Sequence, residues 1–181
     1  CAFTLVAVIA AWLVYRWSAD TRVIVWAMMI VLFNCFGIAR AVIYRNDALR
    51  KPGSIGIWET VMAVANGCLF ALLPLMIVPD ATPEITMWIV FACTGLAAAS
   101  IAMQSSWLPV FLGFNVTQMS ALAYALYERD EAVYQDLSVG VLLLLVTLSL
   151  FAFNLQRTIR AAIVLRFEND QMVIMAPREL M

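Results

Sequence analysis

Histidine does not occur in this 181-residue chain, and lysine occurs once, at Lys51 in a polar link. Imidazole general-base catalysis, phosphotransfer to histidine and a retinal Schiff base inside a helix bundle are therefore closed to it. Cys1, Cys35, Cys68 and Cys93 sit in apolar runs without CxxC spacing, which implies neither a zinc site nor a disulfide framework. They read as small buried hydrophobes. Soft ligation of Cu(I) by Met62, Met103, Met119, Cys68 and Cys93 is the residual metal chemistry, with packing the simpler use of those side chains. No cofactor is expected. What remains for chemistry is a set of side-chain amides, Asn34, Asn66, Asn115 and Gln118, each inside an otherwise apolar run. An amide in hydrocarbon must find a partner. Two uses stay open: interhelical hydrogen bonds, worth ~0.6 kcal/mol on average, or the polar lining of a small-ligand pocket. Counted from the ends of their runs at ~1.5 Å per residue, the four lie close in depth and predict one midplane layer, with Thr94 and Thr147 near it.

The elements that must position these amides follow from composition. Hydrophobic residues make up 65% of the chain, charged residues 13%, and the mean hydropathy is +0.93. Soluble globular domains carry ~25% charged residues, so this is the composition of an integral membrane protein. A net charge of -1 offers no basic face for nucleic acid. The expected partner is the lipid bilayer.

Hydropathy separates six candidate spans, at about 1–15, 23–44, 57–78, 85–104, 107–127 and 133–155. The chain opens on Cys1 without a basic flank, so the first span is expected to begin before the sequence given and both ends to be cuts in a longer protein. The link after the second span holds Arg45, Arg50, Lys51 and the turn Pro52-Gly53, while Pro79 to Glu84 is acidic and breaks helix twice. With both termini cytoplasmic, seven basic residues flank the inside (Arg40, Arg45, Arg50, Lys51, Arg157, Arg160, Arg166) against three outside (Arg16, Arg22, Arg129). Arg40 lies one turn inside its span, where it can snorkel, and Glu59 is placed to pair with it. Trp17, Trp58, Trp88 and Trp107 fall near interfaces. The small-residue pairs Ala7/Ala11, Ala63/Gly67 and Gly95/Ala99 predict close helix approach. No internal repeat or midplane carboxylate supports a transporter or proton relay.

The last span has no charge after Asp136 and no Gly or Pro to stop it before Gln156, so one helix is expected to leave the bilayer carrying Arg157, Arg160 and Arg166. Taking Leu155 as heptad position a places Thr158, Ala162, Leu165, Asn169 and Met172 along a weak seam, with Asn169 at an a position that can fix the register of a parallel dimer. A solvated or membrane-surface amphipathic helix is the alternative. Pro177 is expected to interrupt the helix near Ala176.

Several short motifs together carry a resemblance. They are Arg40 with Tyr44-Arg45, Trp58 opening the third span, Gly67 followed by Leu72-Leu73-Pro74, Pro109 opening the fifth, and Leu165-Arg166-Phe167-Glu168-Asn169. In these the chain resembles the six-span N-terminal sensor region of bacterial hybrid histidine kinases and diguanylate cyclases, departing from it at Cys68, where the family has Trp, and at Pro177. The resemblance implies an all-α polytopic bundle at 1–155 and a cytoplasmic linker helix at 156–181 leading to an output domain. It also implies a homodimer in the bacterial inner membrane, a small-molecule or membrane signal, and no catalysis in this segment. A small transporter or channel, or a passive membrane anchor, are the competing readings.

Overall fold

A computed structural model describes residues 2–43, 52–104 and 107–175. All regular structure among the described residues is helical: Ala2–Ser18 (α1), Thr21–Ile43 (α2), Pro52–Ile77 (α3), Pro83–Gln104 (α4), Leu108–Tyr127 (α5) and Ala132–Met175 (α6), with a 3-10 turn at Val78–Asp80 between α3 and α4. Prolines mark the starts. Pro83 opens α4 and Pro109 sits in the first turn of α5, where a missing N–H costs nothing because the first turn has no intrahelical acceptor for it. Pro52 does the same for α3. The expected turn at Pro52-Gly53 is thereby corrected, because proline at the first helical position initiates the helix instead of breaking it.

Four helices contain stretches long and apolar enough to cross a membrane: Thr21–Arg40, Gly56–Asp80, Pro83–Ala102 and Ala132–Glu168. Of the other two expected spans, α1 contributes a shorter apolar helix, Thr4–Ser18. The other, α5, has 20 residues, but Asn115 and Gln118 lower its hydropathy. It occupies the centre of the bundle, packed against α3, α4 and α6, so these amides face protein.

The principal packing is between α3 and α5. It depends on Gly67: a Cβ there would meet Thr117 and stand 2.6 Å from the carbonyl oxygen of Phe114, so only glycine permits this approach. Alongside, edge-to-face contacts join Trp26 to Phe70 and Phe70 to Phe114, with ring centroids 5.8 and 5.7 Å apart. The Trp26 indole N–H donates to the carbonyl of Leu69 at 2.7 Å, tying α2 to α3. Helices α1 and α2 form a hairpin through Ala19, which holds a left-handed φ of 52°, and buried Ala7 and Ala11 lie on the packed face of α1. The pair Gly95/Ala99 behaves differently from expectation. Both residues are exposed, and a Cβ on Gly95 would meet nothing within 4 Å, because α4 packs through Cys93, Leu96, Ala97 and Ser100 on another face.

The last helix is 44 residues long, about 66 Å at 1.5 Å per residue, more than twice the ~30 Å hydrocarbon thickness. It lies against α5 and α4 through Tyr134, Ser138, Val141, Ala152 and Gln156, a spacing of three and four that keeps one face inward. From 161 to 168 every residue is exposed. Pro177 lies outside the described residues.

Candidate functional site

One face of α2 carries Asn34, Gly37 and Arg40, at spacings of three, and one face of α3 carries Glu59, Met62 and Asn66, at spacings of three and four. These faces oppose each other across a groove of about 280 Å³. Gly37 makes the room, since the nearest atom to a Cβ placed there would be the Met62 methyl, at 4.0 Å. Gln104, from the last turn of α4, and Val110, from the first turn of α5, complete the lining.

The charge sits at one end. Arg40 Nη1 donates to Glu59 Oε1 at 3.3 Å, as the sequence predicts, and its guanidinium lies 4.6 Å from the centre of the Trp58 ring. Glu59 is about half exposed, so this pair is worth ~0 to 1 kcal/mol and its geometry is easily changed. Deeper in, the polarity is neutral. Asn66 is only 8% exposed, and its Oδ1 and the Oε1 of Gln104 are buried acceptors without a hydrogen-bond partner among the described residues. Asn34 Nδ2 donates to the Ile30 carbonyl of its own helix at 2.9 Å. A buried acceptor left without a donor costs ~1 to 3 kcal/mol, which a donor entering the groove would recover.

The other two predicted amides belong elsewhere. Asn115 and Gln118 are wholly buried and turn toward α4: Asn115 Nδ2 donates to Ser100 Oγ at 2.8 Å and to the Phe111 carbonyl at 2.9 Å, and Gln118 Nε2 donates to the Cys93 carbonyl at 3.4 Å. Ser100 passes the chain on to the Ala97 carbonyl at 2.7 Å. These bonds hold α4 to α5, while Asn115 Oδ1 and Gln118 Oε1, like the oxygens of Asn66 and Gln104, are buried acceptors without a partner among the described residues. Thr94 and Thr147 donate to carbonyls one turn back in their own helices. The expected single layer is thus two sets, Asn34 and Asn66 in a groove and Asn115 and Gln118 in a helix interface. Position along each helix is readable from the sequence, but helix rotation decides direction.

Two polar residues important here were not singled out from sequence. Gln104 ends the expected span at 85–104, and its place four residues after Ser100 puts both on the α4 face that meets α5. Arg129 was read only as a charge outside. It donates to the Val78 carbonyl at 3.1 Å, the Ala81 carbonyl at 2.8 Å and Thr86 Oγ1 at 3.1 Å, and lies 4.2 Å from the centre of the Tyr134 ring. It joins the α3–α4 connection to the start of α6.

On the exit helix, Ala162 and Leu165 are exposed, and the side chains of Asn169 and Met172 lie outside the described residues. At 3.6 residues per turn Ala162 and Leu165 lie on a different side of α6 from the face that packs on the bundle. Among the described residues no group of three or more acidic or cysteine side chains is arranged to hold a metal ion. Comparison with protein-family models, with curated proteins and with solved structures gives no match for this chain.

Proposed function

We propose that this chain is the membrane-embedded sensory and dimerisation module of a bacterial signalling protein. It crosses the inner membrane six times with both termini cytoplasmic, and relays a signal through α6 to a histidine kinase or diguanylate cyclase domain. The observation that carries this reading is the continuity of α6. It packs on the bundle as far as Gln156 and then projects as a helix exposed on all sides from 161 to 168. A solvated helix without packing of its own is marginal unless something covers one side. A second copy aligned along Ala162, Leu165, Asn169 and Met172 supplies that cover, with Arg157, Arg160 and Arg166 left to the headgroups and solvent. A change in how α6 sits against α5 would then travel along the rod as a small rotation or translation.

The relay requires a signal with different affinity for two arrangements of the bundle. The groove between α2 and α3 suits that role, because the buried oxygens of Asn66 and Gln104 lack donors among the described residues and Glu59 at its mouth is half exposed.

The test is a fusion of the chain, at its C-terminal end, to a reporter active only as a dimer. Leu165→Asp with Met172→Asp should abolish reporter activity while the protein still inserts. Unchanged activity refutes the seam. Alkaline phosphatase fused after Phe167 should be inactive, and an active fusion would place the rod on the wrong side of the membrane.

A further inference from the structure

The groove has three chemical levels, and together they restrict what can occupy it. Arg40 at the mouth disfavours a cation, and Glu59, the acidic group lining the groove, is already paired with it. In the interior, the buried oxygens of Asn66 and Gln104 disfavour an anion and call for a donor. The walls are apolar, with Phe33, Ile38, Met62 and Val110. From Glu59 to Asn66 is seven residues along α3, about 10 Å at 1.5 Å per residue, so the groove descends from the charged end into the apolar length of two helices that are themselves long enough to cross a membrane. An occupant therefore has to partition into lipid.

We infer that the groove binds a neutral, membrane-soluble molecule whose hydroxyl group donates to the side-chain oxygen of Asn66 while accepting from the side-chain amide of Gln104, and whose apolar body lies against Phe33, Met62 and Val110. A hydroxyl suits this place because one atom is donor and acceptor at once and its hydrogen rotates. It can give its proton to one amide oxygen while accepting from an amide N–H. Replacing the hydroxyl by an ether leaves the Asn66 oxygen without a donor again, so a hydroxyl should be strongly preferred over its ether. Two sources share this chemistry: a freely exchanging phenol or alcohol, and a lipid with hydroxyls in its headgroup. The inference supplies the sensor reading with a ligand class and rests on that reading only for its purpose.

The experiment uses the full chain in phosphatidylcholine nanodiscs, whose lipid has no hydroxyl donor, and follows 4-(trifluoromethyl)phenol and 4-(trifluoromethyl)anisole by fluorine NMR, with empty nanodiscs subtracted for partitioning. The phenol should bind saturably, at least tenfold tighter than the anisole. Asn66→Leu should remove that preference and Gln104→Leu should weaken the binding of both compounds, while Leu32→Ala on the exposed face of α2 should change neither. Circular dichroism confirms that each variant is folded. Should Asn66→Leu not fold, Asn66→Ser carries the same requirement. Repeating the titration in phosphatidylglycerol nanodiscs separates the sources, since weakened phenol binding identifies the glycerol headgroup as the occupant and unchanged binding identifies a free molecule. Equal binding of phenol and anisole, a preference that survives in the folded Asn66 variant, or undiminished binding in folded Gln104→Leu overturns the inference. Binding is read without any output, so this result and the reporter result fail independently.

Discussion

Arg129 and the groove beside Arg40 use the same polar vocabulary to opposite ends. Arg129 is largely buried, and its guanidinium is spent on two carbonyls, a hydroxyl and Glu131, with the Tyr134 ring packed against it. A buried charge with this many partners is a staple, since any rearrangement breaks several bonds together. The groove differs below its charged mouth: the side-chain oxygens of Asn66 and Gln104 are buried and have no donor among the described residues. Arg129 ties the α3–α4 connection to α6, whereas the orphaned oxygens of Asn66 and Gln104 tie nothing; since Asn115 Oδ1 and Gln118 Oε1 in the packed α4–α5 interface are orphaned too, it is the open space beside them that sets the groove apart.

The largest way to break that contrast is Arg129→Met. It strands the Ala81 carbonyl, removes one of two donors to the Val78 carbonyl, and should cost ~2 to 4 kcal/mol in unfolding measured in nanodiscs. Phenol binding in the groove should survive in whatever fraction remains folded.

Next comes a pair of glycines. Gly67→Ala forces a methyl toward the Phe114 carbonyl, which cannot withdraw, and should cost ~1 to 3 kcal/mol or more. Gly95→Ala meets nothing and should stay within ~0.5 kcal/mol of the parent on the same assay. A large loss at Gly95 would mean that another molecule covers that face.

Asn66→Leu sharpens the comparison most. Removing an unpaired buried acceptor should leave stability unchanged or raise it by ~1 kcal/mol, while the hydroxyl preference is lost. If the variant is instead destabilised by more than ~2 kcal/mol, Asn66 is structural and the groove is not a site in waiting.

The smallest effect is at the α1–α2 turn. The Arg22 side chain, with help from its backbone N–H, holds the Asp20 carboxyl below the usual aspartate range. A lowered folded value gives stability that is present above the ordinary aspartate pKa of ~3.9 and is lost as pH falls through the folded value. The Arg22 amide, bonded to Asp20 at 2.9 Å, should keep its NMR shift down to about pH 4 and change only below it. A change beginning well above that pH would argue against the bond.

Much of the fold was legible beforehand because its cause is local. Apolar runs in this composition have to satisfy their backbone groups internally, and prolines punctuate them, so the helix ends at Pro83, Leu108 and Ala132 fall within two or three residues of expectation. The start of α3 was misjudged because proline both ends and begins helices, and only the following geometry tells which. The candidate site was half legible. Asn34 and Asn66 were identified as amides at risk in lipid, and Glu59 as the partner of Arg40, whereas Gln104 was missed because its contribution depends on how α4 meets the ends of its neighbours.

From the residues alone one could derive that the described chain forms six helices, which of them carry side-chain amides, and that the last runs on past the bundle. Those properties follow from hydropathy and backbone hydrogen bonding, which act along the chain. Which amides meet is a different kind of fact. It depends on the rotation of each helix about its own axis and on close approaches such as that at Gly67. Packing alone sent Asn115 and Gln118 into a helix interface and left Asn66 and Gln104 facing a groove.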